Sequence, residues 1–214
     1  MIDARIRLEV IDSAIKYITE NNKGNTNPYH NNNHMLFVYD MSMRIFDDIF
    51  SNEDRNFETN KLTLGLAALF HDFNHSGGIL TDDQNVRIAE INFTGFCRLY
   101  DIQLSDIFQN KVSEIILATE FPHKPNEDTL VQIIRDADTI GPFFGDWLQI
   151  VMDLCDEMGK TLIEYLPWEE KFIKETKFNT YFAGEICRKN ECRVLNQVNQ
   201  LYRLIQNNNS VPQN

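Results

Sequence analysis

The sequence lacks the long apolar runs of membrane proteins and the concentrated positive charge of nucleic-acid-binding proteins. No stretch approaches the roughly 20 apolar residues of a membrane-spanning helix, and the N-terminus has no apolar run typical of a secretory signal. Lysine and arginine together number 20, against 32 aspartates and glutamates, so the net charge is −12. We therefore expect a soluble cytoplasmic protein that forms no stable nucleic-acid complex and does not adsorb to membranes.

Cysteine is scarce and is not arranged in close pairs. The four cysteines form no Cys-x-x-Cys motif: they are Cys97, Cys155, Cys187 and Cys192. A cysteine-based zinc site is therefore not expected, and reduced thiols in an intracellular protein fit better. Internal repeats and dividing linkers are absent too, so we predict one domain over residues 1–206 and a frayed tail over 207–214.

Sustained alternation of apolar and polar residues, the mark of a large sheet, is also missing. Apolar residues instead recur at three- and four-residue steps nearly throughout the chain, as in a predicted first helix over about 3–21. The fold should be all-α, a compact multi-helix bundle. Later helices are predicted from about 31–33, over about 62–71, 82–100 and 105–118, and as two or three helices within about 144–205, with loops around 51–60 and 121–126.

Histidine is rare but clustered. Four of the five histidines fall in two short groups, His30 with His34 and His71 with His75, and Asp72 directly follows His71. Histidine and carboxylate are the side chains that best hold a divalent cation beside a reactive water. Because adjacent residues of a helix point about 100° apart, His71 and Asp72 can reach one metal only where the helix ends or bends. The glycine-rich stretch after His75 supplies such an end.

A late aspartate is expected to complete the ligand set. Asp138 follows an apolar helix and an alanine, but Asp136 competes with it, and the pairing with Ala137 favours Asp138. A bound dication lowers the pKa of its water so that hydroxide forms near neutral pH, and it neutralises charge on a phosphoryl oxygen. The residues therefore predict a metal-dependent hydrolase.

These residues resemble the H…HD…D signature of the HD-domain metal-dependent phosphohydrolases, and most closely their cyclic-nucleotide phosphodiesterase-like branch. Residues 29–38, YHNNNHMLFV, are similar to that branch's YHNxxHAxxV motif, and residues 67–77, AALFHDFNHSG, are similar to AALxHDxxHxG. Residues 116–120, ILATE, resemble its LATD segment with Glu in place of Asp. The resemblance covers about residues 28–140 and implies the compact all-α bundle of that family.

The resemblance also implies a role for each matching residue. A first metal, zinc-like or alternatively iron or manganese, would be bound by His34, His71, Asp72 and Asp138. Asp72 would contact a second site suited to magnesium or manganese and share the attacking hydroxide between the metals. His30 would be the general acid that protonates the leaving oxygen. The side chains implied to orient waters and ligands are His75, Glu90 and Glu120.

The chain departs from the phosphodiesterase pattern around the substrate pocket. It is much shorter than those domains, and the glutamine and phenylalanine that grip the purine there cannot be identified. Phe143, Phe144 and Trp147 would form either core, which we favour, or a base-stacking wall. His123, with Lys124, would either line the pocket mouth and attract phosphate or belong to a solvated loop.

The expected substrate is a small phosphorylated molecule, and a nucleotide fits best. A phosphodiesterase that cleaves a cyclic or small signalling nucleotide by metal-activated hydroxide is the first choice. A nucleotide phosphomonoesterase, or nucleotidase, is the alternative of the same class. An oxygenase would need more ligands than this histidine-poor chain offers, and a non-catalytic nucleotide-binding sensor would keep the pocket without turnover. The sequence does not indicate an oligomeric state.

Overall fold

A computed structural model of the chain describes residues 2–100 and 104–209, and every regular element in those residues is a helix. The all-α prediction is thus confirmed. A short 3₁₀ helix, Lys23–Thr26, follows the first α-helix. The α-helices are α1 (Ala4–Asn21), α2 (Asn32–Ile49), α3 (Phe57–Phe70), α4 (Asp82–Leu99), α5 (Asp106–Leu117), α6 (Thr129–Thr139), α7 (Gly141–Phe144), α8 (Trp147–Glu157), α9 (Leu162–Glu175) and α10 (Tyr181–Asn209).

The chain divides into two compact units, Met1–Asp138 and Thr139–Asn214. The extent of one domain over 1–206 stays a prediction. Of the tail predicted over 207–214, residues 207–209 belong to α10 and the others lie outside the described residues. Among the helices of the described part of the chain, none combines the length and the apolar character that crossing a membrane requires.

Helix α3 is the centre of the first unit and packs against α1, α2, α4 and α5. Its residues from Leu62 to Phe70 are all buried, as its leucine- and alanine-rich sequence predicts. Gly65 permits this crowding, because a Cβ there would lie 3.0 Å from Cδ1 of Ile11 in α1 and 3.1 Å from Cε2 of Tyr39 in α2. Close approach of two neighbouring helices thus explains a glycine in a helix interior, where it costs about 1 kcal/mol relative to alanine.

The start of α3 differs from the prediction, which placed a loop over 51–60. The helix begins at Phe57, although Asn56 makes no side-chain capping bond. The buried Phe57 ring lies 5.3 Å from the ring of Phe46, and Lys61 Nζ lies 5.2 Å from the Phe57 ring centre. The packing of Phe57 against Phe46 therefore stabilises the start of this helix. In the sequence Phe57 is followed by polar residues, so no apolar periodicity marks this start.

The second unit has its own core, formed by α7 to α10. Its buried members are Phe143, Trp147, Val151, Cys155, Leu166, Ile173, Val194 and Val198. Phe143 and Trp147 are therefore core residues, as favoured from the sequence, whereas Phe144 is 45% exposed. The core also encloses Glu169, whose Oε1 accepts a hydrogen bond of 2.8 Å from Nε1 of Trp147.

Candidate metal centre

The first histidine pair lies at the beginning of α2. His30 precedes the helix and His34 sits in its first turn, as the sequence predicts. Asn31 is the N-cap, and its side-chain oxygen accepts hydrogen bonds from the backbone N–H groups of Asn33 (2.8 Å) and His34 (3.3 Å). The asparagine-rich run thus caps a helix and fixes where the buried His34 side chain enters the first unit.

The second pair lies where α3 ends. The helix stops at Phe70, and turn bonds follow from Phe73 N to Phe70 O and from His75 N to Asp72 O, both 3.0 Å. The Phe73 side chain is buried, with its ring 5.5 Å from those of Tyr17 and Phe70. Because the chain leaves the helix here, the adjacent His71 and Asp72 can face the same point, as their order in the sequence requires.

Asp138, near the end of α6, joins these groups. Five distances between ligand atoms are between 3.0 and 3.6 Å: His34 Nε2 to Asp138 Oδ1 (3.0), His34 Nε2 to Asp72 Oδ2 (3.3), His71 Nε2 to Asp72 Oδ2 (3.1), His71 Nε2 to Asp138 Oδ1 (3.6) and His34 Nε2 to His71 Nε2 (3.3). One atom from each of the four residues lies within 4.8 Å of all the others. The four form a group that can hold a metal ion.

The spacing and chemistry of these donors fit a divalent cation. Ligands about 2.1 Å from a metal are about 3.4 Å apart in a tetrahedron and about 3.0 Å apart along an octahedral edge. The ring of His71 is held by a 2.8 Å contact between its Nδ1 and the backbone oxygen of Ala68. An N–H at Nδ1 that donates to this oxygen leaves Nε2 free to act as a ligand, as is usual for metal-binding histidines.

Charge is concentrated in this group, named the four-residue cluster below. Burial lowers the pKa of His34, but hydrogen bonds to Asp138 and Asp72 outweigh it and the net shift is upward. Burial also lowers the pKa of His71, yet attraction to Asp72 and a hydrogen bond to Asp138 hold it well above its usual value. Burial opposes ionisation of Asp72, but attraction to His71 and His30 holds its pKa well below its usual range. The carboxylates thus favour positive charge beside them, which a cation can supply in place of protons.

The two competing aspartates of α6 are separated by the structure. Asp138 contacts both imidazoles, whereas Asp136 is 1% exposed and is not part of the four-residue cluster. Residues two apart on a helix point about 200° apart, so only one of them can face a given site. The structure thus brings Asp138 together with the two histidines, and its role as a metal ligand stays a prediction.

His30 and His75 lie together beside the cluster. Their rings stack with centroids 3.9 Å apart and planes 28° apart. The ring of His30 is 5.6 Å from that of His34, and the N–H of Gly77 donates to Nδ1 of His75 at 3.1 Å. The structure thus brings the predicted acid and one predicted supporting residue next to each other.

The remaining predicted residues have their contacts elsewhere. Glu90 accepts a hydrogen bond of 2.9 Å from Ser113, which joins α4 to α5, and one of 3.3 Å from Thr94 within α4. Glu120 forms an ion pair of 3.1 Å with the exposed Lys124. None of these is a member of the four-residue cluster, so the roles given to Glu90, Glu120 and Lys124 stay predictions.

His123 is partly buried, and its pKa is lowered, first by burial and then by the positive charge of Arg135. The nearby Asp138 acts in the opposite direction, which places His123 within electrostatic range of the centre. The role predicted for it at a pocket mouth stays a prediction.

One acidic residue near the centre is not predicted from the sequence. The pKa of Asp82, the first residue of α4, is raised, first by burial and also by the negative charges of Asp72 and Asp138. Its Oδ2 accepts a hydrogen bond from the backbone N–H of Phe121. An acidic residue in the first turn of a helix is common for reasons of helix stability alone, so the sequence gives no signal for this placement.

Comparison with known proteins gives likenesses of fold. No family model matches the chain, and no curated protein matches it. The crystal structure of the Lin1889 protein from Listeria innocua is similar with a TM-score of 0.64 and 16% identity, over 94% of this chain and 97% of that one. The crystal structure of Bacillus subtilis YpgQ in complex with ADP is similar with a TM-score of 0.58 and 15% identity, over 91% of this chain and 97% of that one. Both likenesses concern the fold alone.

Proposed function

We propose that this protein is a metal-dependent phosphohydrolase of the HD type, and that its substrate is a phosphodiester of a cyclic or small signalling nucleotide. The four-residue cluster carries the proposal. His34, His71, Asp72 and Asp138 come from three distant segments, and their ligand atoms have the spacing of a coordination shell. A purely structural ion pair needs only two such groups, whereas four convergent donors suit a cation.

A divalent cation bound by these residues would lower the pKa of a water molecule and neutralise charge on the phosphoryl group. Asp72 and Asp138 supply the negative charge that retains the cation, and the two imidazoles supply neutral nitrogen ligands. His30 stands beside the cluster and donates a proton to the oxygen that leaves phosphorus. An alkoxide is a strong base and leaves poorly, so the departing oxygen is the group in the reaction that most needs a proton.

The charge of the site supports a diester over a monoester. Near neutral pH a phosphodiester carries one negative charge, and a monoester carries up to two. Asp82 adds a carboxylate within electrostatic range of Asp72 and Asp138, so a dianion meets more repulsion than a monoanion.

A nucleotide substrate is supported by the Bacillus subtilis protein of similar fold, which was crystallised with ADP. ADP is not a phosphodiester, and this observation favours a second candidate. A nucleotide phosphomonoesterase, or a nucleotide sensor without turnover, would use the same four-residue cluster.

The test is metal analysis of the purified protein together with hydrolysis of bis(p-nitrophenyl) phosphate and p-nitrophenyl phosphate, with and without Mn²⁺. We expect bound metal and faster cleavage of the diester. Asp138→Asn should abolish both, and Asp156→Asn, the same change at an exposed position, should alter neither. Preference for the monoester would favour the nucleotidase, metal or nucleotide binding without either activity would favour the sensor, and a protein that binds no metal would overturn the proposal.

A further inference from the structure

The stacked pair of His30 and His75 is held through its backbone by one asparagine. The side-chain Nδ2 of Asn27 donates to the backbone oxygen of His75 at 2.8 Å and to that of His30 at 3.2 Å. One amide group therefore joins the two segments that carry the stacked rings. An amide suits this contact, because a single –NH₂ offers two donors and both meet carbonyl oxygens.

Asn27 is itself fixed in place. Its backbone N–H donates to the oxygen of Gly24 at 2.9 Å, and its backbone oxygen accepts from Nδ2 of Asn31 at 3.0 Å. Asn31 is also the N-cap of α2, the helix that carries His34. The Asn27 side chain is thus tied to the start of the helix that supplies a cluster residue, rather than to a free loop.

The residues that precede Asn27 pack closely against the turn that carries His75. The side-chain oxygen of Asn22 accepts from the backbone N–H groups of Asn74 (2.8 Å) and Gly24 (3.0 Å). A Cβ on Gly24 would lie only 2.9 Å from the backbone oxygen of His75, so only glycine permits this approach. Asn74 has a φ of 62°, which asparagine tolerates better than most residues. The segment over 22–27 is therefore shaped to receive the His75 turn.

We infer that Asn27 is a positioning residue: by fixing the backbones of His30 and His75 it sets the stacking of their imidazoles and so aims His30 at the leaving oxygen. The inference rests on the proposed function for the role of His30. The stack restricts rotation of the His30 ring, and a proton donor that cannot turn away keeps the alignment that general acid catalysis requires. The Asn27 amide acts through the two histidines, whose backbone oxygens accept its two N–H groups.

The experiment compares Asn27→Asp with the unsubstituted protein. Aspartate keeps the size of asparagine but removes both donors and turns a carboxylate oxygen toward two carbonyl oxygens. Asn27→Ala serves as a second variant in case the repulsion prevents folding. Asn21→Asp is the matched control, because Asn21 is exposed and its amide donates only to the oxygen of Tyr17 within the same helix.

Three measurements are made on each variant. Nuclear magnetic resonance of labelled histidine reports the ring environments, a Mn²⁺ titration reports metal affinity, and turnover is compared between a diester with a p-nitrophenol leaving group and one with an alkyl alcohol. We expect the His30 and His75 signals to move while Mn²⁺ affinity changes less than about twofold. Turnover should fall at least about tenfold more for the alkyl leaving group, which depends on the acid. The control should match the unsubstituted protein.

Two results overturn the inference: unchanged His30 and His75 signals in Asn27→Asp, or equal losses for both leaving groups. If neither variant folds, ring-to-ring contacts between His30 and His75 are sought in the unsubstituted protein, where their absence overturns the inference and their presence supports it. If the unsubstituted protein cleaves no phosphoester, the proposed function fails, and the histidine signals together with the Mn²⁺ titration still decide whether Asn27 sets the stack.

Discussion

Each compact unit of the chain holds carboxylates that are wholly or partly buried, and the two units accommodate them in different ways. In the second unit, Glu169 is 3% exposed, accepts a hydrogen bond from the indole of Trp147, and has a pKa raised by burial. In the first unit, the four-residue cluster pairs two partly buried carboxylates with two buried imidazoles, and the pKa of Asp72 lies well below its usual range although burial opposes this. One environment favours a neutral acid, and the other favours an ion with positive charge beside it.

The difference shows why burial alone is a poor guide to function. Glu169 on α9 and Trp147 on α8 lie within one core, and one hydrogen bond satisfies a group that packing has enclosed. The four-residue cluster instead gathers donors from distant segments at the spacing of a metal shell. Convergence and charge compensation thus separate a candidate site from a structural polar contact.

The largest effect is expected for His71→Ala. Loss of one of four ligands should lower Mn²⁺ affinity by more than about 100-fold, because outer partners alone contribute about 10- to 100-fold. Activity should fall with it, while far-ultraviolet circular dichroism stays helical. Affinity is measured by calorimetric titration, with Asp156→Asn at an exposed position as the control. A His71→Ala protein that binds metal and turns over normally would remove the cluster from the mechanism.

A smaller loss is expected for His30→Ala. This variant should retain the metal, since His30 is not in the four-residue cluster, and should lose about 10²- to 10⁴-fold in turnover, the usual contribution of a general acid. Metal content by mass spectrometry and turnover of an alkyl diester are measured on the same sample. Normal turnover would withdraw the role of acid from His30, and loss of metal would instead place it among the ligands.

The smallest effect is expected in the second unit. Glu169→Ala leaves the buried Trp147 N–H without a partner and should cost about 1–3 kcal/mol of unfolding free energy. Glu169→Gln keeps an oxygen for that bond and removes the buried charge. Because the folded pKa is raised, the native glutamate costs stability as pH rises from its unfolded pKa through the folded one. The unfolding free energy of the Gln variant should therefore not fall with pH in this range, and at pH 7 it should exceed that of the native protein.

Urea unfolding between pH 4 and pH 8 checks both Glu169 variants, with Mn²⁺ affinity measured alongside. We expect both variants to bind Mn²⁺ as tightly as the native protein does, as a purely structural role of the Glu169–Trp147 contact requires. A fall in Mn²⁺ affinity would show that the Glu169 contact and the four-residue cluster are not independent. A Gln variant less stable than the native protein at pH 7 would contradict the loss of stability assigned to the charge of Glu169.

Local pattern predicts much of this fold. The buried run of α3, the loop over 121–126 and the capped start of α2 all follow from apolar spacing and turn residues within a few positions. The start of α3 at Phe57 does not follow from local pattern, because its stabilisation comes from a ring packed against Phe46, a contact between two helices. Such contacts leave no periodic mark in the segment itself.

The site was predictable only where its residues are close in sequence. His71 and Asp72 can be recognised as site candidates because they are adjacent and because a helix end follows them. Asp138 and His34 lie far apart in the sequence. Only the neighbouring sequence and the family resemblance favour Asp138 over Asp136 as the aspartate that lies near His34. Asn27 and Asp82 look like ordinary residues of a loop and a helix start, because their importance lies in what distant chain they contact.

Anomalous scattering of Mn²⁺ in a crystal of this protein would show directly where the metal binds. We expect a peak about 2.0–2.3 Å from the Nε2 atoms of His34 and His71 and from carboxylate oxygens of Asp72 and Asp138. A crystal in which the four side chains lie together and no peak appears among them, at a Mn²⁺ concentration that supports hydrolysis, would contradict this expectation.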